Sequence, residues 1–181
     1  MNLWHDVPRG DKAPQEFNVI IEIPKFSYNK YEIDKETGLI ALDRVNYGPS
    51  PYPFDYGFVP QTLWDDGDAL DVIVLTTFPL QVGVLVNVRP VGIMEMIDSG
   101  ESDYKLIAVP VKDKRWDEVQ DIGDVASHVL KEAKNFFETY KQLKSDDSEK
   151  NKVTVSGFKG KDEAMKAVEQ SVKMYNEKFF K

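Results

Sequence analysis

The sequence predicts a mainly β domain of the α+β class, a small barrel with helices packed outside it. Three observations carry this expectation. Short apolar and β-branched runs bounded by turn residues fill the first two thirds of the chain. Near residue 124 the apolar spacing changes to the helical period. Two helical faces, with one short strand between them, then close the chain, and strands followed by helices make an α+β pattern. At 181 residues, 41% hydrophobic, the chain has the size of a single domain, taken here as residues 1–181, with enough apolar content for a sizeable core.

Phe17 to Ile23 is apolar and β-branched, and Pro24 stops it. Tyr28 to Ile33 and Leu39 to Val45 flank the turn Asp34-Lys35-Glu36-Thr37-Gly38 and read as a hairpin. Residues 46 to 63 carry Gly48, Pro49, Pro51, Pro53, Gly57 and Pro60 among Tyr47, Tyr52, Phe54, Tyr56 and Phe58. That composition predicts a long, rigid aromatic connection rather than a regular element, and connections of such length are usually functional. Strands resume at Val72 to Leu75, at Gly83 to Glu95 with a bend, and at Tyr104 to Val111. Val125, Val129, Leu130, Ala133, Phe136, Phe137, Tyr140 and Leu143 predict a helix over about 124–143. After the charged stretch Lys144 to Lys152, Val153 to Phe158 reads as a strand. Ala164, Ala167, Val168, Val172, Tyr175 and Phe179 then place a second helix over about 161–179.

Composition excludes several chemistries. With no cysteine, the chain has no disulfide, zinc–thiolate site, iron–sulfur cluster or thiol nucleophile. Only His5 and His128 are present, too few for a histidine-rich metal site. A net charge of −8 opposes broad binding to a nucleic-acid backbone, so no nucleic-acid partner is expected. No apolar run approaches the roughly 20 residues of a membrane span, so no membrane partner is expected either. The N-terminal Met1-Asn2-Leu3-Trp4-His5-Asp6 lacks the marks of a signal peptide, which makes the cytoplasm the expected compartment. Neither G-x-G-x-x-G nor a Walker motif occurs.

What remains is oxygen chemistry. Asp65 to Asp71 reads D-D-G-D-A-L-D, and like charges this dense resist ionising together unless a cation sits among them. A hard ion such as Mg²⁺, Mn²⁺ or Ca²⁺ is the natural neutraliser. If residues 66 to 68 are extended, Asp66 and Asp68 share a face, and Asp71 opens the following strand. A solvated acidic turn around Gly67 explains the same motif without a metal. An EF-hand does not, because counting from Asp66 puts Asp71 at the glycine position and Thr77 at the glutamate position. Asp98 and Asp103 bracket a second loop, with Lys105 on the face of Asp103; a polar turn with a surface ion pair is the simpler account of them. Glu22 lies in an apolar strand, costly unless paired, metal-bound or on an exposed edge. Lys30, Glu32 and Arg44 sit on the hairpin, where a cross-strand salt bridge would suffice. Tyr140 and Lys141 close the first helix, Lys141 complementing its C-terminus or facing an anion. Together these residues suit metal-assisted attack of water on a polyanion.

The ordered set of motifs resembles the family I soluble inorganic pyrophosphatases of the prokaryotic type. It comprises Val19-Ile20-Ile21-Glu22-Ile23-Pro24, Asn29-Lys30-Tyr31-Glu32-Ile33-Asp34-Lys35, Gly38, Asp43-Arg44 and Tyr52-Pro53-x-x-Tyr56-Gly57. It continues with Asp66-Gly67-Asp68-Ala69-Leu70-Asp71-Val72, Arg89-Pro90-Val91-Gly92, Asp98, Asp103-x-Lys105, Ala108-Val109-Pro110 and Phe136-Phe137-x-x-Tyr140-Lys141. Ala69 stands where the family usually has proline, a departure expected to loosen metal placement at most and not to abolish activity.

The resemblance implies a five-stranded OB-type closed barrel with two flanking helices and additional short strands. It implies Mg²⁺-dependent hydrolysis of inorganic pyrophosphate to two orthophosphates by a metal-activated water, with Mn²⁺ as a substitute and Ca²⁺ inhibitory. It also implies self-association, commonly a homohexamer. By the same resemblance Asp66, Asp71, Asp98, Asp103 and Glu32 are metal ligands and Glu22 supports them. Asp68 handles the proton. Lys30, Arg44, Tyr52, Tyr56, Lys105, Tyr140 and Lys141 bind substrate, with Arg44 and Tyr56 also assisting catalysis. Three rival readings are a metal-dependent hydrolase of nucleotides or polyphosphate, an OB-type nucleic-acid module stacking bases on Tyr52, Phe54, Tyr56 and Phe58, and a divalent-ion buffer.

Overall fold

The computed structural model describes residues 1–34, 36–147 and 150–180. Its elements in chain order are β1 (Phe17–Ile23), β2 (Asn29–Ile33), β3 (Ile40–Val45), β4 (Asp55–Phe58), β5 (Asp71–Val74), β6 (Leu85–Asp98), β7 (Glu101–Ser102), β8 (Lys105–Pro110), α1 (Ser127–Thr139), β9 (Val153–Gly160) and α2 (Lys161–Phe179). Lys35 of the predicted turn, and Ser148 and Glu149 of the charged stretch, lie outside the described residues.

Strand pairing closes a ring. β1 pairs with β4, β4 with β5, β5 with β8, β8 with β6, and β6 returns to β1. Every pairing in the ring is antiparallel except β5 with β8. Five strands closed in this order form the OB-type architecture. β9 extends the sheet along the far half of β6, β7 pairs with its tip, and β2 and β3 form a separate hairpin.

Two glycines make the ring geometrically feasible. At Gly57 a Cβ would overlap the Ile20 carbonyl oxygen across the β1–β4 pair. At Gly92 a Cβ would come within 2.7 Å of both the Lys159 carbonyl oxygen and the Ile122 side chain. Gly92 sits at the break in register between Pro90 and Gly92, where β6 bends from one partner to the next.

The predicted α+β order and both helices are present, with differences at particular elements. Residues 46–63 contain β4, buried throughout, whose short length and Pro-rich flanks hide it in the sequence. The first helix is shorter than 124–143. Ile122–Asp124 form a 3₁₀ turn capped reciprocally by Asp121 and Asp124, and the chain is extended at Val125 before α1 begins. Val125 and Tyr140 still join the core beside Phe136 and Phe137, so the apolar stripe outlasts the helix at both ends, while Leu143 is exposed.

The core has three parts. Phe136, Phe137 and Ala133 of α1 pack with Tyr52, Phe54, Tyr56 and Ile73. Ala164, Ala167 and Val168 of α2 pack with Val19, Val72 and Leu106. Trp4, Ile20, Phe58, Ala69 and Tyr175 form the third part, where both ends of the chain meet the barrel. Among the described residues no helix is long and apolar enough to cross a membrane.

Candidate active site

Every residue that the resemblance assigns to metal, substrate or catalysis lines one cavity of about 190 Å³. Six segments deliver them. Glu22 comes from β1, Lys30, Glu32 and Arg44 from the hairpin, and Tyr52 and Tyr56 from the aromatic connection. Asp66, Asp68 and Asp71 come from the β4–β5 connection and its end, and Asp98, Asp103 and Lys105 from the β6–β8 turn region. Tyr140 and Lys141 follow α1.

The acidic loop is not extended at 66–68. Gly67 takes φ 86°, and Asp66 Oδ1 accepts from the Asp68 N–H at 3.0 Å, an Asx turn. Asp66 and Asp68 thus reach the cavity by a turn rather than by strand alternation. Asp71 does open a strand, as its sequence position predicts.

Glu22 is not on an exposed edge. It falls at the register break between Ile21 and Ile23, where β1 is paired with β4, and it is 6% exposed. Its Oε1 accepts from the Ile33 N–H at 2.7 Å. Burial, reinforced by the Asp71 charge, pushes its carboxyl up to about 8. The folded state therefore holds a proton between the ordinary value of 4.5 and about 8 that the unfolded chain releases, and stability falls as pH rises through that window. Glu22→Gln keeps the acceptor and removes the charge. Without added metal its Tm should exceed that of the wild type by on the order of 5 °C at pH 8.5 and by little at pH 5. An equal difference at both pH values in thermal melts would refute this account.

Lys105 organises the rest. It is 3% exposed, and its Nζ donates to Asp71 Oδ2 at 2.5 Å and to Asp103 Oδ1. The simpler account of a surface ion pair therefore does not hold. Burial alone would weaken its charge, but Asp71 and Asp103 outweigh it and hold the ammonium above its ordinary range. Tyr56 Oη also donates to Asp71 Oδ2, at 2.5 Å, and burial followed by the Asp71 charge keeps that phenol protonated. Lys141 Nζ donates to Asp98 Oδ2; burial lifts the Asp98 carboxyl, and Lys141 more than reverses it. Burial lowers Lys30, followed by the neighbouring Arg44 charge, although Lys30 pairs with Glu32 and lies 3.3 Å from Asp43. Burial raises Tyr52 and Tyr140, so both hydroxyls remain hydrogen-bond donors.

A divalent ion suits this donor set. All the acidic groups are hard oxygen ligands, and burial with help from Asp71 and Asp103 pushes Asp66 up to about 6, which marks negative charge short of compensation. Among the described residues no three acidic or histidine side chains already surround a common point. The reason is visible in the ion pairs: Lys105 draws in Asp71 and Asp103, Lys141 draws in Asp98, and Lys30 draws in Glu32.

The opposite need is present as well. Arg44 Nη1 donates to Asp43 Oδ2 at 2.5 Å, whereas its buried Nη2 has no hydrogen-bond partner among the described residues. A guanidinium nitrogen in that state calls for an anion. Tyr52, Phe54, Tyr56 and Phe58 are all buried, so they offer no surface on which bases could stack. Reading the sequence missed Trp4 and Ile33 as cavity-lining residues. Only long-range packing places them there, and no local signal marks them.

Comparisons with known proteins agree with the geometry. The family model described as inorganic pyrophosphatase matches residues 19–176. An inorganic pyrophosphatase from Thermus thermophilus is 47% identical over 170 residues, covering 93% of this chain and 95% of the relative. One from Picrophilus torridus is 41% identical over 175 residues, covering 97% and 96%. The crystal structure of inorganic pyrophosphatase from Thermus thermophilus superposes with a TM-score of 0.92 at 46% identity, over 97% of this chain and 99% of that one. The Helicobacter pylori inorganic pyrophosphatase structure gives 0.85 at 42%, over 94% and 99%.

Proposed function

The chain belongs to the inorganic pyrophosphatase family; it is a hydrolase of inorganic pyrophosphate that needs a divalent metal, and we propose that the metal is Mg²⁺ and that the residues lining the acidic cavity carry the reaction. The observation that carries the assignment of residues is the cavity itself, where carboxylates and cations stand together and Arg44 Nη2 is buried without a hydrogen-bond partner among the described residues.

In this proposal Asp66, Asp71 and Asp103 hold Mg²⁺, and Asp98 and Glu32 take further ions that arrive with the substrate. The chemistry such an ion supplies is neutralisation of phosphoryl oxygens and a lowered pKa for the attacking water. The protein's own groups do the rest. Asp68, on the turn beside Asp66, accepts the proton of the water as its oxygen bonds to one phosphorus. The bridging P–O bond then breaks, and its oxygen leaves on the second orthophosphate. Lys30, Arg44, Lys105 and Lys141 offset the charge that gathers on that oxygen and on the non-bridging ones. The hydroxyls of Tyr52, Tyr56 and Tyr140, kept protonated by burial, donate to phosphate oxygens without adding negative charge. Positioning and electrostatics thus supply the acceleration, as in other phosphoryl transfers.

Phosphate release from pyrophosphate tests the metal assignment. Activity should require Mg²⁺, persist with Mn²⁺, and be suppressed by Ca²⁺, whose longer and more flexible coordination spoils ligand placement. Full activity in Ca²⁺ alone would reject the assignment. Faster release from nucleoside triphosphates than from pyrophosphate would favour the rival hydrolase.

We also propose that the chain self-associates, as a homohexamer. Phe26, Tyr28, Leu39, Leu42 and Val45 are exposed on and beside the β2–β3 hairpin, an apolar group that water disfavours. Sedimentation velocity should show a species near six chains, and a monomer at micromolar concentration would refute it. The cysteine-free sequence suits a cytoplasmic location.

A further inference from the structure

The acidic loop is tied to the barrel at its base, just before Asp71 opens β5. Asp71 begins β5, and the residue before it, Leu70, is fully buried. The Leu70 carbonyl accepts from the Val59 N–H at 3.0 Å, and its own N–H donates to Thr62 Oγ1 at 3.0 Å. Thr62 is itself fully buried, and its hydroxyl donates onward to the Val59 carbonyl at 2.5 Å. One hydroxyl therefore ties both sides of the loop at its base. At the start of the loop the Leu63 N–H donates to the Ser171 carbonyl at 3.0 Å, and within it the Trp64 N–H donates to the Asp68 carbonyl at 2.7 Å and the Gly67 N–H to the Trp64 carbonyl at 3.0 Å.

Thr62 is in turn held from the N-terminal segment. The buried Trp4 indole donates from Nε1 to the Thr62 carbonyl at 2.8 Å. The Trp4 carbonyl accepts from the Gln61 N–H at 2.8 Å, and Gln61 Nε2 donates to the His5 carbonyl at 3.2 Å. Gln61 has φ 55°, a left-handed conformation that a non-glycine residue keeps only when its surroundings over-determine it. Gln61 adjoins the hydroxyl that bonds Leu70 and lies far along the chain from Trp4. The Trp4 and His5 bonds to this segment hold Gln61 in that conformation beside the base of the loop.

We propose that Thr62 is a positioning residue for the metal-facing carboxylates of the acidic loop, and that Trp4 clamps it through the strained Gln61–Thr62 segment. This rests on the assignment of Asp66 and Asp71 as metal ligands. Thr62 touches neither substrate nor metal. Its hydroxyl sets where Leu70 points the chain, and so where Asp71 begins. Without it, the two carboxylates must be ordered when the ion arrives, and that ordering entropy weakens binding.

Calorimetric titration of the metal-free protein with Mg²⁺, without pyrophosphate, is the test. Thr62→Val conserves shape and removes the hydroxyl; it should weaken Mg²⁺ binding about tenfold, the lower end of what outer partners of metal ligands usually contribute. Thr62→Ser restores the hydroxyl and should bind within about twofold of the wild type, and Trp4→Phe should lose about threefold. At saturating Mg²⁺ the kcat of Thr62→Val should return to near the wild-type value, a split that general damage to the fold would not give. Wild-type Mg²⁺ affinity in Thr62→Val, or an equal loss in Thr62→Ser, overturns the proposal. If Thr62→Val does not fold, Trp4→Phe decides: weaker binding supports the clamp and unchanged binding refutes it. A wild type that does not bind Mg²⁺ removes the metal assignment and the clamp with it, whereas a wild type that binds no better than Thr62→Val removes the clamp alone.

Discussion

Asp71→Asn should reduce kcat by about two to three orders of magnitude, and excess Mg²⁺ should not restore it. The Asp71 Oδ2 atom accepts from both Tyr56 Oη and Lys105 Nζ, each at 2.5 Å. An asparagine oxygen accepts the same bonds but brings no charge, and its NH₂ group meets a site rich in donors. Lys105 is left with Asp103 as its remaining carboxylate, although it is almost wholly buried. Removing one partner from a buried ion pair is strongly destabilising, so the metal-free Tm should fall as well. The proposed ligand set loses its member at the head of β5, the position best fixed by strand geometry. Phosphate release at saturating Mg²⁺ and a thermal melt check the two effects. Near-normal turnover would refute the assignment of Asp71 as a ligand.

The sequence revealed the acids, and the structure revealed what holds them. Strand β1, the hairpin and the bounds of α2 are legible because local periodicity and Pro24 or Gly38 mark them. The strand β4 is not, because four buried residues containing Gly57 carry no alternation, and their pairing depends on Ile20 and Val72, which are distant in sequence. Asp66, Asp68 and Asp71 declare themselves by charge density alone. Their geometry does not: the turn at Gly67 replaces the extended segment that simple alternation suggests. Glu22 could be read as an exposed edge residue because a sequence does not show which strands acquire neighbours on both sides. Lys105 shows the same limit in another form. Its spacing from Asp103 fits a surface ion pair, and only the closing of the ring through β8 buries it. Trp4 and Thr62 lie 58 positions apart and carry no motif, so their bond is a product of the tertiary fold.

Replacing Lys105 should move metal binding and turnover in opposite directions. Methionine has a similar length and no charge, so Lys105→Met keeps much of the packing against Tyr56, over whose ring the ammonium sits at 5.7 Å. In the metal-free variant Asp71 and Asp103 face Asp66 with their shared counterion gone, and the Tm should drop. The same oxygens are then no longer committed to Nζ. Mg²⁺ becomes their main source of compensating charge, and the Tm rise on adding saturating Mg²⁺ should be greater in the variant than in the wild type by several °C. Turnover needs the ammonium for a different reason, as a cation facing the phosphoryl oxygens, and kcat should fall by about ten- to a hundredfold. General damage to the barrel would weaken both properties together. A variant that Mg²⁺ stabilises less than the wild type would show that Lys105 supports the metal ligands rather than competing for them.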